Sequence, residues 1–379
     1  MGQRQGAVEG LVSPDPKQWK GRRVFLTGHT GFKGAWLALW LADLGAEVTG
    51  YSLPAPTSPS LFEEARVAEL IHHIEGDVRD LNHLSAALAD AQPDVVFHLA
   101  AQPLVRYSYA EPVETYATNV MGTVHLLEAV RRYGAVPAVI CITTDKCYEN
   151  REWVWPYREN DPMGGHDPYS SSKGAAELAI AAYRRSYFDP ALLAEHGTGV
   201  ASVRAGNVIG GADWAADRLV PDLVRALEAG VPPLIRSPGS IRPWQHVLEA
   251  LGGYLMIAER LLAGDARMAT AWNFGPADDD ARPVSWIVER MLSLWGVSGW
   301  QRPDGAQPHE ANLLKLDCSK ARSELGWRPA MPLADALDQI VAWHRGVAAG
   351  AAPRTMTIDQ IRRYRALLAE RLATVPVPA

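Results

Sequence analysis

A glycine-spaced turn set between two apolar runs constrains this chain more than any other feature. Thr27-Gly-His-Thr-Gly-Phe-Lys-Gly34 places glycines at 28, 31 and 34, after a β-type run at Val24 to Thr27. Gly34 to Leu44 then has the apolar density of a buried helix, and Glu47 to Leu53 returns to strand character, closing one βαβ unit. In such a unit glycine permits the tight turn, lets backbone N–H groups approach a pyrophosphate, and aims the positive end of the helix at that charge. The strand before and the helix after lift the triplet above an ordinary loop. Gly28, His29, Thr30, Gly31, Phe32, Lys33 and Gly34 are therefore candidate cofactor-binding residues.

The same alternation continues downstream. Short strand-like runs occur at Leu70 to Glu75, Val95 to Leu99, Ala138 to Thr143 and Val200 to Arg204, separated by helical stretches near 81–90, 113–133 and 169–187. This predicts an α/β fold, a Rossmann-type doubly wound parallel sheet with helices on both faces. After residue 206 the rhythm loosens, with Pro and Gly clusters at 230–243 and 302–308 and helices expected near 219–229, 246–263, 284–295, 319–325 and 333–348. We expect a lead-in over 1–20, a dinucleotide-binding domain over 21–206, and a smaller, interleaved substrate-binding region over 207–355. Segments 241–248 and 270–275 should return to the first domain. A periodic helix, Asp359 to Leu372, lies in the tail 356–379.

Composition narrows the function classes. The 379 residues carry 37 Lys and Arg against 43 Asp and Glu, a net charge of −6, which argues against a nucleic-acid partner. Three cysteines, Cys141, Cys147 and Cys318, are too few and too scattered for a disulfide framework or a zinc site, so no metal is expected. No apolar run approaches the roughly 20 residues of a membrane span, and the first residues do not read as a secretory signal. A cytoplasmic protein is expected.

Polar residues at strand ends supply the chemistry. Tyr169 and Lys173 are four apart at the start of a helix that follows Pro168, so they share a face. The nearby ammonium should favour the phenolate and pull Tyr169 below its ordinary pKa of about 10. Thr143, Thr144, Asp145 and Lys146 close the fifth strand at the sheet edge where open α/β sheets bind ligands; Thr144 could bond a substrate hydroxyl, and Asp145 with Lys146 offers an adjacent acid and base. Asp77, in Gly76-Asp77-Val78 after the third strand, could accept from an adenine amino group or simply start a helix. The second strand ends Tyr51-Ser52-Leu53 without an acidic residue, leaving NAD and NADP both open, with His29 or Lys33 available to meet a 2′-phosphate.

On these motifs the chain resembles the extended short-chain dehydrogenase/reductase superfamily and, within it, the CDP-glucose 4,6-dehydratase family, over about residues 18–350. The glycine turn matches the cofactor loop. His98-Leu99-Ala100-Ala101-Gln102 matches the segment beneath the nicotinamide ribose, Asn119 the Asn-x-x-Gly122 step, and Thr144, Tyr169 and Lys173 the catalytic set. Narrower matches are Thr143-Thr-Asp-Lys-Cys-Tyr-Glu-Asn150, Tyr157-Arg-Glu-Asn-Asp-Pro-Met-Gly-Gly165, Arg204-Ala-Gly-Asn-Val-Ile-Gly-Gly211 and Ile241-Arg-Pro-Trp-Gln-His246.

The resemblance implies NAD as cofactor, touched also by Val78, Leu99, Ala100, Ala101, Asn119, Thr143, Tyr169 and Lys173. It implies CDP-D-glucose as substrate, bound by Gln102, Asn207, Arg218 and Arg242, and a place in deoxysugar biosynthesis. Tyr169, supported by Lys173 and Thr144, would take the C4 hydroxyl proton as hydride leaves C4. Lys146, standing where dTDP-sugar dehydratases carry Glu, would take the C5 proton while Asp145 protonates the departing C6 hydroxyl. A homodimer or dimer of dimers built on the helices near 113–133 and 169–187 is also implied. Competing readings are a nucleotide-sugar 4-epimerase, a 4,6-dehydratase for another nucleotide sugar, and a non-catalytic dinucleotide sensor.

Overall fold

The computed structural model describes residues 13–303 and 313–374. Residues 1–12 of the lead-in expected over 1–20, most of the 302–308 Pro and Gly cluster, and the last residues of the tail lie outside these.

Seven parallel strands form the central sheet: β1 (Arg23–Thr27), β2 (Glu47–Ser52), β3 (His72–Glu75), β4 (Val95–His98), β5 (Ala138–Ile142), β6 (Gly199–Ala205) and β9 (Ala271–Phe274). Their order, β3-β2-β1-β4-β5-β6-β9, is the doubly wound Rossmann order with one strand added at the edge. The reversal of winding lies between β1 and β4, where Val24 pairs with both Val48 and Val95. β4 and β5 are buried along their whole length, which explains their unbroken apolar runs. Two short strands missed in the sequence, β7 (Asn207–Ile209) and β8 (Trp244–His246), form a separate parallel pair beside the cleft. An apolar cluster including Val220, Leu223, Val224, Ile287, Leu337 and Ile340 packs beyond them, apart from the sheet's own core.

The helix Phe32–Asp43 is apolar on every side and fully buried from Ala35 to Leu41. One face lies on the sheet, and the others are covered by the helices Val247–Leu262 and Pro353–Thr374. Arg362 and Arg365 of the latter pair with Asp43 at 2.7 and 3.2 Å. The lead-in is also less loose than expected. Asp15 caps the short helix Pro16–Trp19, and Trp19, wholly buried, donates its Nε1–H to Glu259 Oε1 at 2.6 Å. The helix expected over 113–133 begins at Pro112, and its stretch Ala117–Met121 is wound as a π-type turn before Gly122–Tyr133 resumes α geometry. Among the described residues no helix is long and apolar enough to cross a membrane.

Candidate active site

The carboxyl ends of β1, β4, β5 and β6 open into one cleft of about 1760 Å³. A single small-molecule site is usually about 300–1,000 Å³, so this volume suits two nucleotide-sized ligands side by side.

At one end lies the glycine turn. Gly28 has φ +77°, and a Cβ there would stand 2.6 Å from Ala100 N; at Gly34 it would stand 2.1 Å from Gly28 O. Only glycine allows strand, turn and helix to close this tightly. Gly31 is open on the cleft side, with Gly28 O at 3.5 Å as its nearest neighbour, and no side chain caps the helix it begins. The free backbone N–H groups of that helix end suit a pyrophosphate. Gly28, Thr30, Gly31, Phe32, Lys33 and Gly34 all line the cleft, as do Leu99, Ala100 and Ala101.

His29 and Lys33 are not where the sequence suggested. His29 is fully buried, 2.7 Å from His73 Nδ1, with its ring in the space a side chain at Gly50 would fill. Burial, with His73 beside it, pushes its pKa down to about 3. Lys33 Nζ lies 5.9 Å from the Tyr254 ring centre, and burial with the neighbouring Lys173 and Arg218 lowers its pKa to about 7. The end of the cleft beside β2 and β3 is thus lined by neutral groups apart from Asp77. Thr30 Oγ1 lies 2.8 Å from Ser52 Oγ and donates to Leu53 O, and Pro54, Pro56, Thr57 and Ser60 complete the wall. Asp77 and Val78 line it as well. The Asp77 carboxylate, although partly desolvated, is held below its usual pKa by Arg79, whose Nε and Nη2 lie 2.8 and 2.6 Å from Oδ2.

At the centre, Asp167 caps the helix Pro168–Ser186 by accepting from Ser170 N, which fixes Tyr169 and Lys173 one turn apart on its inner face. β5 delivers Thr143, Thr144, Asp145 and Lys146 opposite them, with Lys146 Nζ 5.9 Å from the Tyr169 ring centre. Thr144 Oγ1 donates to Asp145 Oδ1 at 3.0 Å. Asp145 is buried, its Oδ2 without a hydrogen-bond partner, and burial raises its pKa despite Lys146, Thr144 and Arg242. The expected phenolate is not favoured by the residues around Tyr169. Burial pushes Tyr169 up to about 12, against the opposing pull of Thr144 and Arg218. Lys173, itself lowered to about 8 by burial, turns toward Ile142 O at 3.5 Å.

Two further expected contacts fall away. Gln102 is bound internally, Nε2 donating to Leu104 O and Thr115 Oγ1 while Oε1 accepts from Leu104 N, so its amide is not presented to the cleft. Asn119, aimed by the π-type turn, accepts from Gln102 N and donates to Gln102 O and Ser172 Oγ; it braces the helix Pro168–Ser186 and is not among the residues that line the cleft. Asn207, Arg218 and Arg242 do line the far half of the cleft. Arg218 is paired with Asp213 at 3.1 Å. Two groups escaped sequence reasoning: Tyr148, in the cleft wall, and the buried Glu177–Arg204 pair behind it. Glu177 stands one helical turn after Lys173, the spacing that could have revealed it.

Residues 25–272 match the family described as GDP-mannose 4,6 dehydratase. The chain belongs to this family. A CDP-glucose 4,6-dehydratase of Salmonella typhimurium is 58% identical over 332 residues, covering 87% of this chain and 92% of its own. DesIV, a dTDP-glucose 4,6-dehydratase of Streptomyces venezuelae solved with NAD bound, superposes with a TM-score of 0.73 at 24% identity, over 88% of this chain and 99% of its own. MoeE5, solved with UDP-glucose and NAD, gives a TM-score of 0.70 at 25% identity, over 86% and 99%.

Proposed function

We propose that this protein removes water from CDP-D-glucose, giving CDP-4-keto-6-deoxy-D-glucose, with NAD+ held in the same cleft. The observation that carries the reading is Asp145: a buried carboxyl with raised pKa and one unpartnered oxygen, next to Lys146 and facing Tyr169. A carboxyl that burial biases toward its protonated form is suited to a departing hydroxyl, and an epimerase needs no such acid. The high identity to the Salmonella enzyme supports the cytidine nucleotide.

The residues present fit NAD rather than NADP. No basic side chain lines the adenosine end among the described residues, His29 being buried against His73, and the carboxylate there, Asp77, already holds Arg79, so nothing in that wall is left to receive a 2′-phosphate. When bound, NAD+ supplies reversible two-electron storage, accepting a hydride from carbon and returning it. The chain's own residues move the protons. Tyr169 takes the C4 hydroxyl proton while Thr144 orients the sugar; burial holds the phenol up at about 12, Thr144 and Arg218 already oppose it, and each further positive charge beside the phenol favours the phenolate. With C4 a ketone the C5 proton is acidic; Lys146 removes it while Asp145 protonates the C6 oxygen so that water leaves, and the Lys146 ammonium then returns a proton to C5 of the unsaturated ketone. Arg218 and Arg242 receive the diphosphate, with Asn207 donating to one of its oxygens.

We also read the protein as cytoplasmic and homodimeric. Its three described cysteines are free and buried. Val113, Tyr116, Met121 and Leu178, on the helical stretches following Pro112 and Pro168, are large apolar side chains left exposed, which supports an interface there. The deciding experiment is incubation with NAD+ and a panel of nucleoside-diphosphate glucoses, read by mass. Loss of one water from the CDP sugar alone is expected; an unchanged mass with inversion at C4 means an epimerase, and no turnover of any sugar refutes the reading.

A further inference from the structure

We infer that Glu177 is a positioning residue for this site, acting with Arg204 to hold the turn Thr144–Cys147 against the helix that carries Tyr169 and Lys173. The inference rests on the dehydratase reading above and concerns how its proton-transferring groups are held and charged.

Glu177 and Arg204 are each buried, with side-chain exposure of 4%, and their charges are fully bonded. Glu177 Oε1 accepts from Thr143 Oγ1 at 2.5 Å and Arg204 Nε at 2.9 Å, and Oε2 from Ser202 Oγ and Arg204 Nη2, both at 2.8 Å. Arg204 Nη1 donates to Tyr148 OH at 2.6 Å and to Glu159 O at 3.0 Å, with the guanidinium 5.0 Å over the Tyr148 ring. Tyr148 OH donates in turn to Asn273 Oδ1 at 2.8 Å.

Thr143 and Tyr148 immediately flank Thr144–Cys147, so one ion pair grips both ends of the turn that presents Thr144, Asp145 and Lys146. The same carboxylate is built into the helix one turn beyond Lys173. A buried ion pair contributes little net stability over apolar packing, whereas its geometry is stringent, so placement is what this pair supplies. It also supplies charge. The groups facing Lys173 are Glu177 on its own helix, Cys141 and Cys147 from β5 and the turn, His98 from β4 and Lys33 from the first crossover. Glu177 is the carboxylate among them, and it favours the protonated ammonium.

The test is Glu177→Gln in the full chain, with kcat and KM for CDP-glucose followed across pH. We expect kcat to fall at least about tenfold with KM little changed, and the alkaline limb of kcat, which reports the Lys173 proton, to move acidward by about one pH unit. Glu177→Asp keeps the charge but shortens the reach, and should lose kcat while leaving the limb in place. A lower Tm with an unmoved limb in Glu177→Gln makes the pair merely structural and overturns the inference. If Glu177→Gln does not fold, Glu177→Asp alone decides, because kcat at the native level in that variant also overturns it. Failure of the native protein to dehydrate CDP-glucose instead sinks the underlying reading, so the two failures are distinct.

Discussion

Lys173→Met should make the protein more stable and nearly inactive. In the folded chain the ammonium is depressed from 10.5 to about 8, chiefly by burial. Folding below pH 8 therefore carries the cost of desolvating a charge that the unfolded chain keeps in water. At 1.36 kcal/mol per pKa unit the shift amounts to about 3 kcal/mol. Because the folded value is the lower one, the unfolded chain binds more protons between pH 8 and 10.5, and this group's cost fades as pH rises through that window. Methionine has similar length and no charge, and Glu177 is not orphaned, because Thr143, Ser202 and Arg204 still bond it. Equilibrium denaturation at neutral pH and again near pH 10.5 should show the variant ahead at the first and level at the second. Turnover should drop by about 10² or more, the usual loss when a placed charge is removed from a reacting centre. A variant less stable than the native protein at neutral pH, or equally ahead at both pH values, would refute the reasoning.

Other substitutions separate the steps. Asp145→Asn keeps the shape and the Thr144 contact but cannot supply an acidic proton, so dehydration should fall by about 10²–10⁴ while exchange of the C5 hydrogen with deuterated water continues, read by mass. Burial raises the Asp145 pKa, so its folded form is disfavoured as pH rises above the unfolded value; the Asn variant should match or exceed native Tm at neutral pH. Gly34→Ala would press a Cβ to 2.1 Å from Gly28 O, a backbone atom that cannot swing away; about 1–3 kcal/mol of stability and most NAD affinity should be lost, measured by denaturation and by titration with NAD+.

The parts of this molecule that were legible in its sequence are those set by local chemistry. The glycine turn, the strand-helix alternation and the Tyr169–Lys173 spacing each follow from periodicity and backbone demands, and the strands Ala138–Ile142 and Gly199–Ala205 fall within a residue or two of expectation. What failed depended on where a side chain points after packing. His29 and Lys33 sit four apart on a turn, and only the tertiary placement of Gly50 and His73 decides that the first goes into the core while Lys33 comes near Lys173 and Arg218. Gln102 and Asn119 were read as ligand-binding, yet each finds its partner in the other through a π-type turn no propensity foretells. The Tyr169 pKa was misjudged because spacing reveals the neighbouring cation but not the depth of burial, and burial is the larger effect. β7 and β8 are three residues each, too short for any alternation to register.

The seventh strand has a consequence for how the chain is made. β9 pairs with β6, yet some sixty residues of intervening chain, including β7, β8 and the helix Val247–Leu262, must be synthesised between them. Until Ala271–Phe274 arrives, β6 stands as a naked border of apolar residues with open N–H and C=O groups, the template on which unrelated chains stick together. Ribosomal truncation anywhere in that interval would leave the sheet half-sealed and adhesive, so closing its border and keeping the polypeptide dispersed are accomplished by one late event.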